Sequence, residues 1–481
     1  MVFDAQKVEN KGRPIAVDLD GTLVKTDTLF ELWLRLAKRD ASGVFKSAWW
    51  LRKGLAYFKG RLVGQAQINV ATLPYHLAVL DYLTTQRIAG RKLWLVTASD
   101  SRIARQVAEH LQIFEGVMGT EEGVNLSGRN KATALVNKFG LRGFDYIGNS
   151  RKDLAVWEKA GTAHAVTNSD RLRRIVAKTT LVGKVWRSKR SALKAMWAAI
   201  RPHQWVKNLL LLIPMLADHQ LNWIVGVKAG RAFVVFCLIA SAIYLINDML
   251  DLEADRRHPT KRYRPLASGE LSLWQGTAMV IVLLGTGAII AAGLDGLFVK
   301  MVITYFLLNL IYSLGAKQIV LLDVIILAVL YGLRIMAGGA AANIAVSDWL
   351  MALILFLALS GALMKRYVEL SRVKELAVKG NLSGRGYARA DMALVGQMGI
   401  MSGFLAVLVM ALYINSTQVA RLYRHSEYWW LVALLLLYGV SRGWLNAYRG
   451  KIGDDPVMYI IRDPIYYWII GLTIVLALLA I

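Results

Sequence analysis

From about residue 205 onward the chain passes through one apolar segment after another, and nothing else restricts its possible folds so strongly. Nine segments are long enough to span, at roughly 205–219, 229–248, 274–294, 297–315, 319–341, 347–364, 392–414, 427–445 and 463–481. In hydrocarbon every backbone N–H and C=O must be satisfied within the segment itself, so the pattern predicts an all-α polytopic domain of about nine transmembrane helices.

The second segment runs directly into IYLINDMLDLEADRRHPTKRYRPLASGE, Ile243 to Glu270. Here an apolar helix meets Asn247, Asp248, Asp251 and Asp255, and then Arg256, Arg257, Lys261, Arg262 and Arg264. Asn247, Asp251 and Asp255 fall at i, i+4 and i+8, on one helical face over roughly 12 Å. Carboxylates at a membrane mouth are costly and point to function. Oxygen ligands with open positions suit Mg²⁺ bridged to substrate phosphates, and the following cations suit a diphosphate. The plainer reading is an acidic and basic juxtamembrane loop without a ligand.

Charge narrows the partners. The 481 residues are 56% hydrophobic yet carry a formal net charge of +25. With this hydrophobicity the basic balance implies positive-inside loops and contact with anionic lipid, not nucleic acid. The loops 249–273 and 365–391 carry five and seven Lys/Arg, whereas 341–346 carries none. That asymmetry places the N-terminus and these loops on the cytosolic side of the cytoplasmic membrane. A single cysteine, Cys237, excludes an intrachain disulfide framework. The polar first fourteen residues give no sign of a cleavable signal peptide.

The N-terminal part reads differently. Short apolar runs at Ile15–Leu19, Leu93–Thr97, Tyr146–Gly148 and Ala163–Thr167 fit parallel strands alternating with helices. This predicts a soluble α/β domain over 1–170, with a helical excursion at about 29–88. Residues 171–201 contain ten Lys/Arg and no acid. With interleaved Val182, Val185, Trp186 and Trp197, the stretch 171–200 reads as a basic linker lying on the membrane surface, before a membrane domain over 201–481.

The membrane half resembles the UbiA superfamily of intramembrane prenyltransferases. The resemblance rests on NDxxDxxxD at Asn247–Asp255, on KRYRPLASGE at Lys261–Glu270 and on the helical layout. Within it, RPHQWVKNLL at Arg201–Leu210, YSLGAKQIVLLDV at Tyr312–Val324, LRIMAGG at Leu333–Gly339 and MKRYVEL at Met364–Leu370 look like the decaprenyl-phosphate phosphoribosyltransferase branch. That branch transfers phosphoribosyl from phosphoribosyl diphosphate to a polyprenyl phosphate. The resemblance implies Mg²⁺ on Asn247, Asp248, Asp251 and Asp255, with Asp251 and Asp255 catalytic. It implies donor contacts from Lys207, Arg262, Arg264, Tyr312, Lys317, Lys365 and Arg366. Ordinary members carry a second Asp-rich motif after the sixth helix; here that loop opens with Lys365, Arg366, Tyr367 and Glu369. A basic cluster there suits a donor 5′-phosphate; its other reading is a topology signal, the better one for Arg372, Lys374 and Lys379. Asp323 and Arg334 read either as cavity residues or as an ion pair.

The soluble half resembles the haloacid dehalogenase superfamily, an α/β Rossmann-like fold with a helical cap. DLDGTL at Asp18–Leu23, VTASD at Val96–Asp100, Lys131 in RNKATAL and GNSRKD at Gly148–Asp153 come in that family's order. The resemblance implies Asp18 as nucleophile, Asp20 as general acid and base, and Thr97 and Lys131 on the phosphoryl oxygens. Asp18, Asp20, Asn149 and Asp153 would hold Mg²⁺. The family's usual Asp stands here as Asn149, which removes one charge from the metal site.

Together the two halves imply a phosphoribosyl transfer followed by removal of the 5-phosphate from the lipid product. Two alternatives stay open. One is a prenyltransferase using a prenyl diphosphate; the other is a transferase whose soluble domain is a non-catalytic binding module. The sequence leaves homo-oligomerisation open.

Overall fold

The computed structural model describes residues 12–121, 124–187, 191–219, 222–372, 385–453 and 455–481. Lys374 and Lys379 lie outside the described residues. The chain forms two compact units. The first joins Met1–Ile200 to Leu245–Met279, and the second joins Arg201–Tyr244 to Val280–Ile481.

The first unit is built on a six-stranded parallel sheet. Its strands are β1 (Ile15–Val17), β2 (Leu93–Asp100), β3 (Gly116–Thr120), β4 (Asp145–Gly148), β5 (Thr162–Val166) and β6 (Leu181–Trp186), in the order β3-β2-β1-β4-β5-β6. Ile15 pairs with both Leu93 and Asp145, so β1 is central. Successive residues point to opposite faces. Ile15 and Val17 pack with Leu95 and Ile103 on one side; Ala16 packs with Val96, Tyr146 and Trp157 on the other. Burial on both faces explains why β1 reads as a continuous apolar run. The strand order reverses between β1 and β4, and in such sheets ligands bind beyond the strand C-termini at that reversal.

The excursion between β1 and β2 holds α1 (Thr28–Arg39), α2 (Ala41–Arg52), α3 (Leu55–Gln65) and α4 (Leu77–Ile88). Asp27 caps α1 by accepting from the Phe30 N–H at 2.9 Å. Glu31 lies in the first turn and Lys38 and Arg39 in the last, in keeping with the helix dipole. Leu32 and Leu36 bury the apolar face. After β2 come α5 (Ser101–Leu111) and α6 (Arg129–Phe139).

Two strands depart from the sequence reading. β3, GVMGT, lacks an apolar alternation because neighbours fill the space of its missing side chains. A Cβ on Gly116 would lie 2.2 Å from the Trp94 ring, and one on Gly119 would lie 2.7 Å from the Ser101 backbone. β6 lies within the stretch read as an interfacial linker and pairs with β5 instead. It is an edge strand, where Lys184 is at home, and Trp186 is the residue it buries. The helices Asp170–Thr179 and Ala192–Ile200 flank it.

In the membrane region, seven helices among the described residues are long and apolar enough to span. They are Trp223–Leu250, Leu273–Ala291, Gly296–Leu314, Leu322–Ala342, Asp348–Ser371, Arg389–Ile414 and Tyr428–Tyr448. The pair Pro456–Arg462 and Pro464–Ala480, bent by 80°, makes eight if counted as one span. The expected first span at 205–219 is a 3₁₀ segment, Pro202–Leu212, followed by the short helix Ile213–Ala217. Neither piece is long enough to cross. Gly338 lets the 3₁₀ segment lie against its neighbour, since a Cβ there would meet the Leu211 carbonyl oxygen at 2.1 Å. Elsewhere in the second unit, Ser360 Oγ donates to the Gly399 carbonyl at 2.7 Å and accepts from Trp444 Nε1 at 3.0 Å. Small and polar residues at helix interfaces of this kind hold membrane helices together.

Candidate functional site

At the sheet reversal of the first unit, Asp18 follows the end of β1 and the chain turns through Gly21, whose φ is +70°. A Cβ on Gly21 would meet the Asn149 amide at 2.0 Å, so glycine is required both for the turn and for the approach of the loop after β4. Asp18 Oδ1 accepts from Lys131 Nζ at 2.7 Å, and Lys131 also donates to the Tyr146 hydroxyl at 3.0 Å. That hydroxyl donates to Asp153 Oδ1 at 2.8 Å. Asp153 Oδ2 accepts from the N–H groups of Asn149 and Ser150 and from Ser150 Oγ. Asp20 accepts from the Thr28 N–H at 2.8 Å and from Ser99 Oγ. Thr97 Oγ1 accepts from the Ser99 N–H at 3.0 Å and is fully buried. The six residues singled out in this half thus converge, joined by Tyr146, Ser99 and Thr28.

Burial raises the Asp18 carboxyl to about 6, with Lys131 pulling the other way. Burial, and then the neighbouring Asp27, raises Asp20 to about 7. Both carboxylates are therefore short of positive charge, which suits an added cation. Asp153 already has both oxygens engaged, so the donors left for a divalent ion are Asp18, Asn149 and backbone carbonyls. Among the described residues, no group of three His, Cys, Asp or Glu is gathered to hold a metal.

The Asp-rich motif belongs to the first unit through Leu245–Met279. The membrane helix ends at Leu250, and Leu252–Arg257 continues it. Helical bonding runs through the join: the Asp251 N–H donates to the Asn247 carbonyl at 2.9 Å, and the Asp255 N–H to the Asp251 carbonyl at 2.8 Å. Asp248 Oδ1 and Asp255 Oδ2 both face Arg264 Nη1, at 2.9 and 2.7 Å. Asp251 Oδ1 accepts from Lys38 Nζ at 2.7 Å. Burial raises the Asp255 carboxyl, against Arg264. Two carboxylates converging on one cationic nitrogen mark a place where a cation is favoured, and in that respect the residues fit a divalent ion. Arg262 is exposed, donating to the Tyr263 hydroxyl at 2.7 Å.

In the second unit a cavity of about 490 Å³ is lined mostly by apolar residues such as Leu357, Leu435, Leu436 and Ile469. Its charged lining is Lys207, Lys365 and Asp455, and Lys207 Nζ donates to Asp455 Oδ2 at 2.6 Å. Arg366 behaves differently from its neighbour Lys365. It is fully buried and donates to Asp323 Oδ2 and Glu369 Oε2, both at 2.5 Å, and to the Tyr312 hydroxyl at 3.2 Å. Its charge is therefore balanced inside the protein. The Asp323 and Arg334 pairing weighed from sequence is not formed. Asp323 serves Arg366 and the Tyr387 hydroxyl, while Arg334 donates to Asn208 Oδ1 and the Tyr305 hydroxyl. Lys317 sits in a 3₁₀ turn, Ala316–Gln318.

The sequence reading missed Lys38, Glu31 and Arg35 of α1, Asp455 on Lys207, and Arg385 beside Glu369. The available signal for α1 was its charged stripe, Glu31, Arg35 and Lys38 at i, i+4 and i+7.

The long apolar helices define an integral membrane protein that also carries an α/β sheet unit. The model of the UbiA prenyltransferase family matches residues 209–375. The chain is 33% identical over 461 residues to the "Uncharacterized protein y4nM" of Sinorhizobium fredii, covering 95% of this chain and 89% of that one. It is 33% identical over 265 residues to "Nodulation protein NoeC" of Azorhizobium caulinodans, covering 55% and 86%. It is 38% identical over 202 residues to the "Decaprenyl-phosphate phosphoribosyltransferase" of Mycolicibacterium smegmatis, covering 41% of this chain and 64% of that one. The C-terminal part of the chain thus carries a UbiA prenyltransferase family domain, which makes it a transferase by family.

Proposed function

We propose that this protein transfers 5-phosphoribosyl from phosphoribosyl diphosphate to a polyprenyl phosphate, and that its sheet unit then removes the 5-phosphate from the lipid product. The cavity of the second unit carries this reading. A polyprenyl phosphate needs an apolar wall for its chain and cations for its headgroup. Leu357, Leu435, Leu436 and Ile469 supply the one, and Lys207 and Lys365 the other. A soluble acceptor needs neither. The relative of M. smegmatis bears the name of this activity.

In the transfer, the bond from ribose C1 to the diphosphate oxygen breaks and a bond from C1 to a lipid phosphate oxygen forms. The diphosphate leaves with the electron pair. The lipid phosphate is already anionic at neutral pH, so no general base is required. Arg264 supplies a donor to the diphosphate end, Asp248, Asp251 and Asp255 would hold a cation beside it, and the protein contributes positioning and charge stabilisation. Mg²⁺ on these carboxylates would neutralise the leaving diphosphate.

In the sheet unit, resembling haloacid dehalogenases, the Asp18 carboxylate attacks phosphorus. The ester P–O bond breaks, and Asp20 gives its proton to the departing sugar oxygen. Water, losing a proton to Asp20, then releases phosphate from Asp18. Lys131 balances charge beside the nucleophile at 2.7 Å. Burial and then Asp27 raise the Asp20 carboxyl to about 7, so near neutrality a substantial fraction carries the proton that a general acid must give. The positive-inside loops favour a cytosolic sheet unit and cytosolic sites.

Purified protein given Mg²⁺, phosphoribosyl diphosphate and polyprenyl phosphate should release diphosphate and yield a lipid heavier by the sugar. Consumption of a prenyl diphosphate in place of phosphoribosyl diphosphate overturns the reading.

A further inference from the structure

Helix α1 is an ordinary amphipathic helix on its buried side. On its other side, however, Glu31, Arg35 and Lys38 each face a charged residue of the segment Asp251–Arg256. Glu31 is paired with Arg256 by two bonds, and Arg256 also donates to the Ala267 carbonyl at 3.0 Å. Arg35 lies 2.9 Å from Glu253. Lys38 Nζ lies 2.7 Å from Asp251 Oδ1 and 3.1 Å from the Leu250 carbonyl. At the other end of the helix, Phe30 stacks on Trp274 with centroids 4.7 Å apart, and Asp27 Oδ2 accepts from Trp274 Nε1 at 3.3 Å.

Two of these pairs have purely structural explanations. The Glu31 and Arg256 pair is buried, and Arg35 with Glu253 adds a second anchor. Lys38 stands apart. Its partner is a carboxylate assigned above to the diphosphate end of the transferase site. Its second acceptor is the last carbonyl of the membrane helix, where the dipole is negative. Lys38 and Asp251 side chains keep 32% and 25% of their surface accessible, so an incoming ligand reaches both. An ammonium on a flexible four-carbon stem can leave a carboxylate for a phosphate oxygen a few ångströms away.

We infer that Lys38 of α1 is a diphosphate-binding residue of the transferase, holding Asp251 in the absence of donor and passing to a diphosphate oxygen when the donor arrives. The inference rests on the proposed transferase reading and deepens it. Lys38 and Asp251 both belong to the first unit, so the contact is made within it.

The test is calorimetric titration of the full-length protein with inorganic diphosphate in the presence of Mg²⁺. Lys38→Met should weaken binding by about tenfold or more, because a charge-assisted contact is lost. Lys38→Arg should restore most of it. Arg35→Met breaks a neighbouring pair without touching Asp251 and should leave the affinity unchanged. In turnover, Lys38→Met should raise the KM for phosphoribosyl diphosphate more than it lowers kcat. Undiminished binding by Lys38→Met overturns the inference, as does an equal loss in Arg35→Met, which would make α1 a docking element only. A wild type that binds diphosphate through Lys38 but makes no phosphoribosyl lipid would keep the inference and remove the donor assignment. A wild type that makes the lipid while Lys38→Met binds normally would do the reverse.

Discussion

Arg256 and Glu31 form a two-pronged ion pair, Nη1 to Oε2 at 3.0 Å and Nη2 to Oε1 at 2.5 Å, with side-chain exposures of 5% and 1%. The residues are far apart in sequence, and the pair ties α1 to the segment that carries the Asp-rich motif. Bidentate geometry makes the contact directional as well as strong.

Removing one member strands a buried charge. Glu31→Ala should therefore destabilise the first unit by ~3–5 kcal/mol. Removing both with apolar replacements, Glu31→Leu with Arg256→Met, should cost much less, because no charge is left unpaired. The check is the temperature at which detergent-purified protein loses its monodisperse elution. Equal losses in the single and double variants would show that packing, not charge, dominates this contact.

The carboxylates of the motif should be separable from stability. Asp251→Asn or Asp255→Asn should reduce lipid phosphoribosylation at least ~30-fold, equivalent to ~2 kcal/mol or more of lost transition-state stabilisation. Both variants should elute as the wild type does. Near-normal turnover in either would take that residue out of the diphosphate site.

Adjacent residues on one helix should behave in opposite ways. Arg366 is enclosed with Asp323 and Glu369, so Arg366→Ala should cost ~3–5 kcal/mol and deplete the folded protein. Lys365 lines the cavity, so Lys365→Ala should fold normally and raise the KM for the lipid phosphate or for the donor. A loss of binding in folded Arg366→Ala would return that arginine to the site.

The contrast between these two residues marks the limit of what could be read from sequence. DLDGTL, its strand and the NDxxDxxxD helix were legible because their chemistry lies in consecutive residues and their hydrophobic periods are clean. The spans from Trp223 onward were legible for the same reason. β3 was not, because Gly116 and Gly119 make room for Trp94 and Ser101 instead of contributing side chains. β6 was not, because Lys184 and the surrounding basic residues mask an edge strand. The fate of Arg366 depends on Asp323, 43 residues earlier, and on no local pattern. The same holds for Lys38 and Asp251, 213 residues apart.

A buried histidine gives the sheet unit a pH dependence. His164 of β5 lies between Tyr82 and Trp186, and its Nδ1 accepts from the Lys184 N–H at 2.9 Å. Burial lowers its pKa to about 4. The unfolded chain takes up this proton near ~6.5 and the folded unit does not, so stability is complete above ~6.5. It falls as the pH drops toward 4, by ~3 kcal/mol in all. His164→Phe should flatten that part of the stability curve. An identical slope between pH 6.5 and 4.5 in the variant and the wild type would assign the dependence to carboxylates instead.

The last expectation joins the two sites. Asp18→Asn should leave the transfer intact and make the 5-phosphorylated lipid accumulate, because Asp18 is paired with Lys131 whereas Asp251 is paired with Lys38. The wild type should yield the dephosphorylated lipid, and slowly. Asn149 is neutral, Asp153 is engaged by Tyr146, Ser150 and the Asn149 N–H, and Asp20 by Thr28 and Ser99, so Asp18 is the charged oxygen donor left at this site for a cation. Asn149→Asp restores a carboxylate beside Gly21 and should speed the second step without altering the first. Mass analysis of the lipid from the three proteins separates the outcomes. The same product from wild type and Asp18→Asn would show that the sheet unit does not act on this lipid, and would favour a binding module or a soluble phosphate ester as its substrate.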